Sequence, residues 1–221
     1  MTIYDAVIFD LDGTVVDSHR YTFDAFRHAL APFMTPPDDA AIFAAFGPAE
    51  RSILARLLPA PAVEPAYRRL QEYYAARVGT LGVHPQLRPL LRDCRAAGRR
   101  CALFTGRGAD STELILRQLD LGWAFEVVLA GEAVARPKPA PDGVLQLMAA
   151  LGCAAEATLV VGDSPLDCAA AAAAGADACF AAWHAWTGAV VPPGVVVLPA
   201  PDALRPLLGL GPGEATGTRS G

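Results

Sequence analysis

The 221-residue chain is poor in the features that mark several large protein classes. Its five cysteines, Cys94, Cys101, Cys153, Cys168 and Cys179, form no CxxC pair. A scattered, odd set of this kind reads as buried thiols in a reducing compartment. Its four histidines, His19, His28, His84 and His184, show no HxxxH or HExxH spacing, so no histidine-based zinc site is expected. No apolar run reaches the ~18–20 residues of a membrane span. The longest, around 168–176 and 194–198, end at Gly, Asp or Pro. Positive charge is not in excess: 18 basic residues stand against 23 acidic ones, a formal charge of −5. That balance argues against a nucleic-acid partner, which needs clustered Lys and Arg, and no membrane partner is expected. No basic-then-apolar leader opens the sequence, so a cytoplasmic location is the expectation. No internal repeat is evident.

What remains is an ordinary globular composition, 53% hydrophobic and 19% charged. It excludes a disordered chain, and the length suits one α/β domain carrying a modest insertion. Three short apolar runs, Ala6–Phe9, Cys101–Phe104 and Leu159–Val161, read as strands buried on both faces, as in a parallel sheet. Val127–Leu129, Ala178–Ala181 and Val195–Leu198 are weaker candidates. Helical spacing lies between them at 87–97, 112–119, 141–151 and 166–174. Gly98, Gly152 and Gly175 stand where helices end. Alternating strands and helices predict a doubly wound, Rossmann-like parallel sheet.

One stretch interrupts the alternation. Residues 18–82 hold no strand signal but four helical segments, about 21–33, 38–46, 49–58 and 65–78. They predict a small all-α module inserted after the first strand. The core is then 1–17 with 83–210, and 211–221, rich in Gly, Ser and Thr, reads as a disordered tail.

Ligands of open parallel sheets bind outside the carboxyl ends of the strands. The three strongest strands end in Asp10, Thr105 and Asp163. One such residue would be read as a turn or helix cap; three at one edge point to a site. Asp10-Leu11-Asp12-Gly13-Thr14 brings two carboxylates out together, and Gly162-Asp163-Ser164-Pro165-Leu166-Asp167 adds two more. Four carboxylates in one crevice repel unless a cation sits among them, and all-oxygen donors select a hard ion such as Mg²⁺. Asp10 and Asp163 are the expected ligands, while Asp167 reads either as a ligand or as a first-turn helix acid. Lys138, on the Pro-stiffened Arg136-Pro137-Lys138-Pro139 loop, supplies a second positive charge. The combination suggests phosphoryl transfer through an aspartyl phosphate: one carboxylate attacks phosphorus and another handles protons. Thr105, Lys138 and backbone N–H groups would stabilise the phosphoryl oxygens.

With these four elements in order, the chain resembles the haloacid dehalogenase superfamily of phosphotransferases, over roughly residues 4–208. The resemblance implies Asp10 as nucleophile, Asp12 as acid/base, and Thr105 and Lys138 on the phosphoryl group. It also implies Mg²⁺ held by Asp10, the Asp12 main-chain carbonyl and Asp163, with Asp167 in support. The helical insertion resembles the family's C1 cap.

Asp12 favours phosphate-ester cleavage, because the dehalogenases and phosphonate hydrolases of the family lack it. The run Asp12-Gly13-Thr14-Val15-Val16-Asp17-Ser18 resembles phosphoglycolate phosphatases. Beta-phosphoglucomutases are the rival reading. They carry Glu-Asp-Ser where Gly162-Asp163-Ser164 stands, a hinge His where Thr22 aligns, and a phosphate-binding Arg where Glu50 and Arg51 stand. A non-catalytic phosphate-binding protein is the remaining alternative, disfavoured by the presence of Asp10, Asp12 and Lys138. The substrate is expected to be a small phosphorylated metabolite, bound by a monomer or homodimer. Gly106, Arg107 and Arg51 are the substrate-contact candidates, with Arg107 alternatively capping a helix. His19 is read as a helix N-terminal residue without a catalytic part. Trp183, His184 and Trp186 are read as core packing, with a contact surface as the second reading.

Overall fold

The computed structural model describes residues 3–213, so the tail expectation lies, from residue 214 onward, outside the described residues. Six parallel strands form one sheet: β1 (Ala6–Phe9), β2 (Arg100–Phe104), β3 (Val127–Leu129), β4 (Thr158–Gly162), β5 (Asp177–Ala181) and β6 (Val196–Leu198). Their order is β3-β2-β1-β4-β5-β6, so β1 lies at the switch point between the two halves. All three weak strand candidates are strands.

Side chains alternate across the sheet, as the two-residue period requires. Val7, Phe9, Leu103 and Val161 face one core with Leu87, Leu90 and Leu91 of helix α5 (Leu87–Ala96). Ala6, Ile8, Ala102 and Val160 face a second core with helices α7 (Asp142–Leu151) and α8 (Pro165–Ala174). Helix α8 has its N-terminus fixed by a capping box between Ser164 and Asp167, with Pro165 in its first turn. Its alanine run lets it lie close to the strands, and Gly175 ends it in the left-handed conformation, φ 78°. Helix α6 (Ala109–Gln118) connects β2 to β3.

Four helices separate β1 from β2: α1 (His19–Leu30), α2 (Asp39–Ala44), α3 (Glu50–Leu57) and α4 (Ala60–Arg77). Helix α4 starts five residues before the expected Pro65. Proline breaks a helix by removing one N–H and crowding the carbonyl four residues back. Here that carbonyl belongs to Pro61 in the first turn, so the helix runs on. Phe23, Phe26 and Leu30 of α1 and Leu70 and Tyr74 of α4 are buried, and the two helices pack together. The chain leaves the core and re-enters it at one place, where the Asp17 N–H donates to the Gly82 carbonyl at 3.0 Å.

Register positions the chemistry. Phe9 lies opposite both Leu103 and Val161, so Asp10, Thr105 and Asp163 emerge together at the carboxyl edge of adjacent strands.

Candidate active site

Lys138 is buried at the centre of this edge. Its ammonium donates to Asp10 Oδ1 at 2.7 Å, to Asp167 Oδ1 at 2.6 Å and to the Phe104 carbonyl at 2.7 Å. All three of its donors are used. Burial works against its charge, but Asp10 and Asp167 outweigh that and raise its pKa. Burial pushes the Asp10 carboxyl well above the ordinary carboxylate range, although Lys138 pulls it back. Asp167 turns its other oxygen to the Ser164 hydroxyl, at 2.6 Å, and to the Ser164 N–H. It is therefore a helix-capping acid, the first of the two readings the sequence left open, and it also lies within the carboxylate cluster.

Asp10, Asp163 and Asp167 each offer a carboxylate oxygen within 4.8 Å of the others, and all three are buried. Three buried carboxylate donors fit a hard divalent cation such as Mg²⁺. Asp163 Oδ2 also meets His19 Nε2 at 2.8 Å. Burial raises the Asp163 carboxyl to about 6, against the opposing effect of His19. Gly13 turns beside this pair with φ 75°, and a Cβ there would lie 2.2 Å from Asp163 Oδ2. Only glycine fits.

Asp12 leaves the strand beside Asp10 but has different partners. Arg107 grips its two oxygens, from Nε at 3.0 Å and Nη2 at 2.6 Å, and the Ser18 hydroxyl donates at 2.5 Å. Burial alone would raise the Asp12 carboxyl, but Arg107 outweighs it and holds the group below its ordinary range. Thr105 is buried, and its hydroxyl oxygen accepts from the Arg107 N–H at 3.1 Å. Its own proton remains available to an incoming oxygen.

The family model of the haloacid dehalogenase-like hydrolases matches residues 7–181 of this sequence. The chain belongs to that family. A phosphoglycolate phosphatase of Rhodospirillum rubrum is 33% identical over 183 residues, spanning 77% of this chain and 76% of the relative. The tyrosine-protein kinase PtkA of Mycobacterium tuberculosis is 32% identical over 181 residues, spanning 80% of this chain and 62% of that protein. Among solved structures, CbbY from Rhodobacter sphaeroides in complex with phosphate superposes with a TM-score of 0.81 at 22% identity, over 94% of this chain and 100% of that one. That last likeness is one of fold.

In this haloacid dehalogenase-like hydrolase the helical insertion roofs a cavity of about 270 Å³ over the carboxylates. Gly106 lines it and packs so closely on Gly47 of the insertion that a Cβ would lie 2.7 Å from the Gly47 carbonyl oxygen. Arg107 lines the cavity as well, but its guanidinium is spent on protein groups. Besides Asp12 it donates to Thr22 Oγ1 at 2.6 Å, reaches Glu50 at 3.5 Å, and stacks over Tyr74 at 4.6 Å. Arg107 thus stands in the cavity wall as the partner of Asp12 rather than as a helix cap. Arg51 does not line the cavity. It pairs with Glu64 and lies 4.0 Å over the Tyr67 ring on the outer side of α3. Its neighbour Glu50 faces inward, accepting from the Gly108 N–H and the Ser111 hydroxyl, each at 2.7 Å.

His19, read from the sequence as a bystander, lines the cavity through its bond to Asp163. Trp186 packs against the core, and its ring lies 4.5 Å from Phe43 of the insertion. No helix of the described residues is long and apolar enough to cross a membrane.

Proposed function

We propose that this chain is a phosphatase that hydrolyses a small phosphate monoester through a covalent aspartyl phosphate on Asp10. An Asp10 carboxylate oxygen attacks phosphorus, and the bond from phosphorus to the ester oxygen breaks. The departing alkoxide takes its proton through Asp12, which has to bind that proton against the pull of Arg107. Asp12 then takes a proton from water as that water attacks the phosphorus, the bond to Asp10 breaks, and inorganic phosphate leaves. Lys138 offsets negative charge between the nucleophile and the phosphoryl oxygens, and the Thr105 hydroxyl donates to one of them. Asp10, Asp163, Asp167 and the Asp12 main-chain carbonyl would hold Mg²⁺, which when bound supplies positive charge against the phosphoryl group. Arg107 orients Asp12 toward the ester oxygen.

The observation that carries this reading is Lys138, which joins Asp10 to Asp167 at 2.7 and 2.6 Å while Asp12 is held separately by Arg107. Lys138 favours the ionised form of Asp10 that attacks, and Arg107 favours the ionised form of Asp12 that accepts a proton from water. Residues 18–82 act as the lid over a core of 1–17 and 83–210, a division supported by the Asp17–Gly82 hydrogen bond. A closed lid keeps bulk water from the reacting phosphoryl group. The five cysteines are free thiols, which supports the cytoplasm as its place of work.

The test is phosphate release from a panel of small phosphomonoesters, with Mg²⁺ and with EDTA, using Asp10→Asn as the blank. Metal-dependent release above that blank is expected. Release that persists unchanged in the Asp10→Asn protein removes Asp10 as the nucleophile.

A further inference from the structure

The carboxylates occupy only the floor of the cavity. Its roof is formed by Phe26, Phe43, Phe46 and Ile53 of the insertion, with Leu166 of the core beside them. Trp186 backs Phe43 at 4.5 Å, and Phe46 lies 5.6 Å from Phe43, so the wall is a continuous aromatic surface. The insertion brings no lysine or arginine to this wall. Each cationic side chain that does line the cavity already has carboxylate partners. Arg107 holds Asp12 and reaches Glu50, Lys138 holds Asp10 and Asp167, and His19 meets Asp163. Glu50 adds a negative charge on the roof side.

A phosphoryl group on the floor leaves the rest of the substrate against this wall. A carboxylate or second phosphate there would lose its water, find no free cation among the described residues and face Glu50, an arrangement that is costly. An apolar group would instead cover exposed aromatic carbon. Resting on the phosphatase reading above, we propose that the alcohol released is uncharged and apolar, of about the size of a single ring, so that the phosphate is the substrate's one anionic group. Glycolate and sugar bisphosphates fall outside that class.

Two primary-alkyl esters test this without a large difference in leaving-group chemistry: benzyl phosphate and phosphoglycolate. The intact protein with Mg²⁺ is expected to show kcat/KM at least about tenfold higher for benzyl phosphate. Calorimetry with the non-hydrolysable benzylphosphonate and phosphonoacetate reads the same preference without turnover, and benzylphosphonate is expected to bind at least about tenfold tighter. Equal or tighter binding of phosphonoacetate overturns the inference, whatever the turnover. Tighter benzylphosphonate binding with no release from either ester supports the pocket assignment and sinks the hydrolysis reading instead. Phe43→Arg, at a half-buried position, places a cation in the wall and is expected to narrow or reverse the preference. An unchanged preference in that variant removes the ring wall as its cause.

Discussion

Arg107 and Asp12 lie 95 residues apart in sequence, yet they form a two-pronged ion pair with N–O distances of 3.0 and 2.6 Å. The guanidinium is buried, and its remaining contacts reach across to Thr22 and Glu50 in the insertion. One side chain therefore sets the charge of the proposed proton carrier and ties it to the lid.

Replacing Arg107 by Gln leaves Asp12 and Glu50 buried without their cation. Breaking a buried pair costs about 3–5 kcal/mol, so the urea midpoint is expected to fall sharply. Asp12, no longer held down, titrates higher, and the limb of the pH–rate profile that it governs moves to higher pH. Arg107→Lys restores charge but not the planar fork, so partial recovery is expected. An unmoved pH profile in Arg107→Gln would separate Arg107 from Asp12 in function.

Asp10→Asn keeps the side-chain shape and removes the attacking carboxylate. Turnover is expected to drop at least about a thousandfold while the circular dichroism spectrum stays native. Near-normal activity would require another nucleophile.

Asp163 titrates at about 6 in the folded chain, against an unperturbed 3.8. Between those values the folded chain holds more protons than the unfolded one, so stability falls as pH rises through that window. His19 acts in the same direction. Burial opposes its charge, but Asp163 outweighs that and raises it above 6.5, giving stability that is complete below 6.5 and lost as pH rises through the folded value. The metal-free protein is therefore expected to melt lower at about pH 7.5 than at about pH 5.5, and Asp163→Asn should flatten that difference. Mg²⁺ at about 100 times its Kd should add about 2.7 kcal/mol at the higher pH. A melting temperature indifferent to Mg²⁺ removes the three-carboxylate cluster as its site.

Gly106→Ala would drive a methyl group to 2.7 Å from the Gly47 carbonyl oxygen. The lid must lift to make room, and displacement of about 1 Å can cost about a hundredfold in rate. A kcat/KM reduced by roughly tenfold to a hundredfold with an unchanged melting temperature is expected. Full activity would show that lid and core need not meet at Gly47.

The core was readable because its signals are local. A strand buried on both faces is a continuous apolar run, and β1, β2 and β4 each end one residue short of an oxygen-bearing side chain. The glycines after α7 and α8 adopt the left-handed conformation that the sequence pattern implies. The partners across the lid were not readable, because they arise only when distant segments meet. His19 and Asp163 are 144 residues apart, and Arg107 and Glu50 are 57 apart. Arg51 lies about 100° around α3 from Glu50, one residue's rotation, and so falls outside the cavity that Glu50 lines. Helical spacing carries that difference: Glu50, Ile53 and Leu54 share the buried face, and Arg51 lies off it.

The backbone hydrogen bond between Asp17 and Gly82 hangs the insertion from a single post, since both crossings into the core pass through it. Rotation about such an axis moves nearby atoms least and remote ones most. The Gly47–Pro48 turn rests on Gly106 and on the Lys138 carbonyl, so any such rotation has to part those two contacts first.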